Sequence, residues 1–294
     1  MLRHKINYRP YLQLMRLDKP VGTLLLLWPT LAALFLAAGN WPPLHLVLVF
    51  AAGTLLMRTA GCVINDLADR DFDGAVARTA NRPLATRRIP IAHAFGILVL
   101  LLLASAALLL ALNPITRWLA LAGVAIAALY PFLKRWTYLP QVGLGAAFSW
   151  GLPMAYAAVQ GEVPPVAWLL FIASLLWIVA YDTLYAMVDR DDDLKVGIRS
   201  TAILFGSADR LMVGLLQTAT LTTLLMLASQ QDYAGFFQAG VVAAGGFFVY
   251  QQYLIRDRTK AGCFAAFLNN VWVGFALFLG SVAEVVLASG TAPV

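Results

Sequence analysis

Charge is scarce in this chain. Only 12% of its 294 residues are Asp, Glu, Lys or Arg, about half of the ~25% in an ordinary soluble domain. Set beside 61% hydrophobic residues and a mean hydropathy of +0.77, that deficit excludes a water-soluble globule. Cysteine is nearly absent: Cys62 and Cys263 form neither a metal-ligand pattern nor a disulfide framework, and they read as packing residues. The histidines are three and scattered, and no Walker loop, GxSxG elbow or HExxH pair occurs, which removes P-loop, serine-hydrolase and zincin chemistry.

What the chain has instead is long apolar blocks. About 20 apolar residues carry a helix across a ~30 Å hydrocarbon layer, and windows of that kind fall at 22–38, 44–64, 91–112, 115–133, 140–158, 166–188, 211–229, 235–254 and 270–289. In lipid every backbone N–H and C=O must be satisfied within its segment, and the blocks lack the alternation of barrel strands. The expected fold class is therefore all-α: a polytopic bundle of nine transmembrane helices, one domain over 1–294. Basic residues followed by the first apolar run look like a signal peptide, but the many later spans and the lack of a convincing cleavage site make it a retained helix.

The connections alternate in charge. Segments 1–20, 65–90, 134–139, 189–210 and 255–262 hold 19 of the 21 Lys and Arg residues, and only Arg58 and Arg117 fall elsewhere. Positive charge marks the cytoplasmic side, so the N-terminal segment and the rich loops are expected there. The same placement explains the formal charge of +6 without nucleic acid as a partner. Nothing in the sequence demands an obligate protein partner.

The loops 65–90 and 189–210 both open with carboxylates. Asn65, Asp66, Asp69, Asp71 and Asp73 form the first cluster, in NDLADRDFD; Asp182, Asp189, Asp191, Asp192 and Asp193 form the second, in YDTLYAMVDRDDD. At ~100° per residue, Asn65, Asp69 and Asp73 span an arc of about 80° on a helix, and Asp182, Asp189 and Asp193 about 40°. Four spans separate the clusters, an even number, so both face the same mouth of a bundle read as two four-helix halves plus a ninth helix. Facing carboxylate stripes repel unless cations lie between them. With no His or Cys in either cluster, the expected ion is Mg²⁺, which prefers oxygen and bridges carboxylates to phosphates. Asp182 lies inside its span, where an ionisable group is a functional candidate.

Phosphate needs cationic donors as well. Arg78, Arg82, Lys195 and Arg199 follow the clusters, and Lys134 and Arg135 end another span on the same side. Arg58, two turns deep and seven residues before Asn65, is placed to meet an anion within the bundle or to snorkel outward. Tyr185, one turn before Asp189, belongs to an interfacial belt or offers its ring face to a developing cation.

These residues resemble the UbiA-type intramembrane prenyltransferases. NDLADRDFD fits that family's NDxxDxxxD motif and DRDDD its DxxxD motif; RTAGCVINDLADRDFDGAVARTANRPLATRRI, YDTLYAMVDRDDDLKVGIRSTAILFG, MRLDKPVGTLLLLWPT and YPFLKR extend the likeness almost end to end. The likeness is to the branch acting on 4-hydroxybenzoate in ubiquinone biosynthesis. It implies a central cavity open to lipid and a polyprenyl diphosphate held through Mg²⁺ by Asn65, Asp69, Asp73, Asp189 and Asp193. It further implies that Asp69, Asp73, Asp182, Asp189 and Asp193 serve catalysis, that Arg58 meets the aromatic carboxylate, and that Arg135 binds diphosphate or substrate. Transfer to another acceptor, such as a naphthoate, homogentisate, haem or chlorophyllide, stays open, and a cation-coupled transporter is a more distant alternative because it needs broken helices at mid-membrane. The short extramembrane parts and the lack of a transit-like leader point to a bacterial inner membrane.

Overall fold

The computed structural model describes residues 8–71, 73–75, 79–233 and 235–287. The described residues form helices and no strand: a short α1 (Arg9–Leu14), then α2 (Val21–Ala38), α3 (Leu44–Asp69), α4 (Ile91–Leu108), α5 (Pro114–Trp136), α6 (Pro140–Ser149), α7 (Gly151–Gln160), α8 (Pro165–Val196), a short α9 (Thr201–Phe205), α10 (Asp209–Gln230), α11 (Phe236–Leu254) and α12 (Lys260–Leu287). Proline and glycine punctuate them. Pro114, Pro140 and Pro165 occupy first-turn positions, where the missing N–H costs nothing. Asn113 caps α5, its side chain accepting the Thr116 N–H at 2.9 Å. Gly161 and Gly197 end α7 and α8 at φ 79° and 74°, a left-handed conformation that suits a residue without Cβ.

Among the described residues, eight helical stretches are long and apolar enough to cross a membrane. The ninth expected span, α11, is a helix of 19 residues, long enough to cross but diluted by Gln238, Gln251 and Gln252. Two of these are served by its neighbours: Gln217 donates to Gln251 Oε1 at 2.8 Å, Gln251 donates to Asn269 at 3.0 Å and Gln252 donates to Gln217 at 3.0 Å, so Gln251 and Gln252 meet partners on α10 and α12 instead of lipid. Gly240 and Gly280 let α11 and α12 approach closely, since a Cβ on Gly240 would stand 2.8 Å from the Ala276 carbonyl.

Four boundaries differ from the apolar windows. α3 and α8 run on through charged residues to Asp69 and Val196, so the first residues of both supposed loops are helical. α12 begins at Lys260, ten residues early, because a satisfied backbone ladder does not require an apolar side chain. The span at 140–158 is two helices meeting at Trp150; Pro153, four residues past Ser149, withdraws an N–H from that turn.

α8 is the axis of the bundle. Trp177, Ile178, Tyr181, Thr183 and Leu184 are buried along it, and Trp177 Nε1 donates to Asn270 of α12 at 2.8 Å. α4 is the opposite case: Ala94 is its one fully buried residue, and Ile91, Phe95, Val99, Leu100 and Leu103 form an exposed apolar face of the kind lipid covers.

Candidate active site

The first motif closes α3. Asn65 is half-buried, while Asp66 and Asp69 are only 1% and 2% exposed. The helix stops at Asp69, and Asp73 stands on a separate 3₁₀ turn, Asp73–Ala75. The expected 80° helical arc therefore ends at Asp69, and tertiary bonds place Asp73 instead. Arg82 Nη1 donates to both Asp73 carboxylate oxygens at 3.0 and 2.9 Å, and the Thr79 hydroxyl donates to the Asp73 carbonyl at 2.8 Å. Burial pushes the Asp73 carboxyl above the usual carboxylate range, against the pull of Arg82.

The second motif keeps its stripe because α8 is unbroken through it. Asp182 is half-buried, and Asp189 and Asp193, two and three turns further on, are each 8% exposed. Asp191 and Asp192 pair with Lys260 at 3.6 Å and Lys195 at 3.3 Å, off the stripe as expected.

The end of α5 joins the two motifs. Lys134 forms an ion pair with Asp69 Oδ2, while its own carbonyl accepts the Arg199 N–H at 3.1 Å from the segment after α8. Arg135 donates to the Ala68 carbonyl at 2.8 Å.

A cavity of about 1410 Å³ opens beside this junction. At the motif end Arg16, Asn65, Asp66 and Arg82 line it among other polar residues, Arg58, Asp182 and Tyr185 lie deeper, and beyond them the walls are mainly apolar, reaching Phe50, Leu112 and Met154. From Asp66 back to Phe50 the α3 wall is roughly 24 Å long by helical rise. Tyr185 packs on Phe267 at 4.6 Å between ring centroids. Arg58 touches Cys62 Sγ and lies against Gly22. Its Nε and the Tyr181 hydroxyl, both on buried atoms, have no hydrogen-bond partner, a costly state that an oxygen-bearing guest would relieve.

Asp69, Asp73, Asp189 and Asp193 are buried and are not part of the cavity lining, and among the described residues no three Asp, Glu, His or Cys side chains converge as a self-sufficient metal site. The donor set nevertheless suits a hard divalent cation that keeps waters and shares a substrate's phosphate oxygens. Every candidate ligand is an oxygen donor, and Asp69 Oδ1 is buried without a partner.

Of the expected cationic residues, Arg58 and Arg82 line the cavity, whereas Lys195 is exposed on Asp192 and Arg199 donates to the Trp136 carbonyl at 2.7 Å, both outside the lining. Arg78 lies outside the described residues. Two residues given no individual role from the sequence stand at the mouth. Asp66 is the second letter of the motif itself, and Arg16 grips it from 50 residues away, Nη2 to Oδ1 at 2.9 Å and to Oδ2 at 3.1 Å. The motif pattern was signal enough for Asp66; Arg16 lies in the stretch MRLDKPVGTLLLLWPT that carries the family likeness, but nothing local marked its contact with Asp66.

The sequence pattern of the UbiA prenyltransferase family matches residues 26–282. The chain belongs to that family. It is 55% identical over 274 residues to the 4-hydroxybenzoate octaprenyltransferase of Tolumonas auensis, covering 93% of this chain and 96% of that one. It is 53% identical over 277 residues to the 4-hydroxybenzoate octaprenyltransferase of Pseudomonas aeruginosa, covering 94% of each. Among solved structures, a UbiA homolog from Aeropyrum pernix K1 superposes with a TM-score of 0.79 at 22% identity, over 89% of this chain and 97% of that one. A UbiA homolog from Archaeoglobus fulgidus bound to GPP and Mg²⁺ gives 0.68 at 18% identity, over 92% and 99%. These structural likenesses are likenesses of fold, and the all-helical bundle is the fold they share.

Proposed function

We propose that this chain, working as one domain, transfers a polyprenyl group from polyprenyl diphosphate to 4-hydroxybenzoate, at the ring carbon ortho to the hydroxyl, in ubiquinone biosynthesis. The observation that carries the reading is the polarity of the cavity beside the motifs: carboxylates and arginines at its mouth, one arginine at mid-depth, and mainly apolar walls beyond. A diphosphate, a small aromatic acid and a prenyl tail match those zones in that order. The relatives' names add the substrate class.

Asn65, Asp69, Asp73, Asp189 and Asp193 are the residues that would hold Mg²⁺. Bound there, the ion supplies Lewis-acid stabilisation to a diphosphate leaving group. Arg82 and Lys134 keep Asp73 and Asp69 in place and bring positive charge to the same end, with Arg135 nearby. Arg58, with its unpartnered Nε, receives the benzoate carboxylate, charge-assisted and geometrically selective. The C1–O bond of the prenyl diphosphate breaks and C1 bonds to the ring. Tyr185 and Phe267 face the electron-poor C1 with ring surfaces, and the apolar walls keep water from it. The ring proton passes to a carboxylate, Asp182 being the one at that depth, or to the departing diphosphate.

The concentration of basic residues at the motif end supports a cytoplasmic mouth in a bacterial inner membrane. Membrane vesicles holding the chain, given labelled prenyl diphosphate and a panel of aromatic acceptors, test the proposal. Product on 4-hydroxybenzoate that requires Mg²⁺ is expected. Product on a naphthoate or homogentisate instead would reassign the acceptor, and none on any acceptor would overturn the reading.

A further inference from the structure

Asp66 is nearly sealed from solvent and is held from two directions. Arg16, between α1 and α2, reaches both of its oxygens, and Arg82, in the loop after the first motif, lies 3.1 Å from Oδ1 while also holding Asp73. Arg16 has a left-handed backbone, φ 54°, which is strained for a residue with a long side chain and persists only where surrounding bonds fix it. Segment 13–20 and segment 81–88 both border the motif end of the cavity, with Gln13, Lys19, Asn81 and Arg88 joining Arg16 and Arg82 in its lining. They are also sewn to each other, since Arg88 donates to Gln13 Oε1 at 3.3 Å. Arg16 is 22% exposed and Arg82 14%, against 1% for Asp66.

A buried carboxylate with two guanidiniums on it is already neutralised. It differs in this from Asp69, which retains a bare oxygen. We propose that Asp66 is an arginine anchor and not a cation ligand: a positioning residue that pins the segment around Arg16 and the loop around Arg82 together as a roof over the diphosphate end of the cavity. The inference rests on the proposed function for the identity of the guest, but not for the existence of the roof. Closed, the roof excludes water from the diphosphate end and presents positive charge to it. Opening needs only the more accessible partner, Arg16, to leave Asp66, while Arg82 stays on Asp66 and Asp73.

Cys62 offers a readout independent of the reaction, because it lines the cavity while only 6% exposed, so that a charged reagent reaches it through the mouth, whereas Cys263 is 0% exposed and off the lining. In full-length chain in vesicles, with Cys263→Ser as background, the rate of Cys62 labelling by a charged maleimide is measured for wild type, Arg16→Ala, Arg16→Lys and Asp66→Asn. The expected result is several-fold faster labelling in Arg16→Ala and Asp66→Asn, with Arg16→Lys in between. In parallel, KM for prenyl diphosphate should rise about tenfold, the loss of one charge-assisted pair, more prenyl diphosphate should be hydrolysed without acceptor, and KM for the aromatic acid should change little. Labelling at the wild-type rate in both Arg16→Ala and Asp66→Asn overturns the roof. An Asp66→Asn enzyme whose only change is a higher Mg²⁺ requirement makes Asp66 a cation ligand and overturns the anchor. Absence of prenyl transfer by wild type would count against the proposed function alone, leaving the labelling result to decide the roof.

Discussion

Lys134 grips one carboxylate oxygen of Asp69 and leaves the other buried without a hydrogen-bond partner. The pair joins the end of α5 to the end of α3, and the Lys134 carbonyl extends the join to the segment behind the second motif through Arg199. Removing the lysine strands a carboxylate that is 3% exposed, at a cost of about 3–5 kcal/mol. Lys134→Met is expected to lower thermal stability in detergent and prenyl transfer together. Asp69→Asn keeps the shape and sheds the charge, and should cost at least about 100-fold in transfer while helix content by circular dichroism stays intact. Retention of most activity in Asp69→Asn would remove that aspartate from the chemistry.

Arg58→Ala should raise KM for 4-hydroxybenzoate by about 10- to 100-fold, the worth of a bidentate carboxylate contact, with a smaller effect on prenyl diphosphate. Kinetics with each substrate varied in turn separate the two. Equal increases would make Arg58 a structural arginine.

Gly22 gives an independent handle on the same group. A Cβ there would overlap the Arg58 guanidinium, and a flexible side-chain end can shift to make room, so Gly22→Ala should fold normally. The displaced arginine then reproduces part of the Arg58→Ala defect, again selective for the aromatic acid. A Gly22→Ala enzyme with an unchanged acceptor KM would show that the position of Arg58 is not critical.

Thermal unfolding probes the divalent ion without turnover. Mg²⁺ and inorganic pyrophosphate together should stabilise the chain more than either alone, by about 2.7 kcal/mol when ligand reaches 100 times its Kd. Asp189→Asn should abolish the joint increment. Equal stabilisation by pyrophosphate with and without Mg²⁺ would assign diphosphate binding to the arginines and lysines alone.

Far from the motifs, Gly123 on α5 faces Trp150, and a Cβ there would lie 2.6 Å from Trp150 Cδ1. The indole is held by its N–H donating to the Leu119 carbonyl at 2.7 Å, so it yields poorly. Gly123→Leu is expected to narrow the apolar end of the cavity, sparing geranyl diphosphate and slowing longer donors. Competition assays across donor lengths measure the change, and a uniform loss at all lengths would place the tail elsewhere.

The spans were legible in the sequence because lipid leaves a buried backbone few options and because about twenty apolar residues are needed to cross. The geometry of the candidate site was legible where a helix carried it: Asp182, Asp189 and Asp193 share a face since α8 does not break. It failed where tertiary bonds take over. Asp73 leaves the helix and is set by Arg82; Arg16 reaches Asp66 across 50 residues; Lys195 and Arg199, basic and in the right loop, turn to Asp192 and a backbone carbonyl. Charged residues at the ends of α3 and α8 looked like loop because hydropathy reports solvent and not backbone geometry.

At 32 residues, α8 is about 48 Å long, and a hydrocarbon core is ~30 Å, so a stiff rod overshoots the oily layer by about 18 Å. The overshoot bears the second motif's acids. An amphiphile guided along such a rod can keep its anionic head in the headgroup zone and its oily tail at depth throughout the encounter, so neither half has to change medium for the bond between them to break.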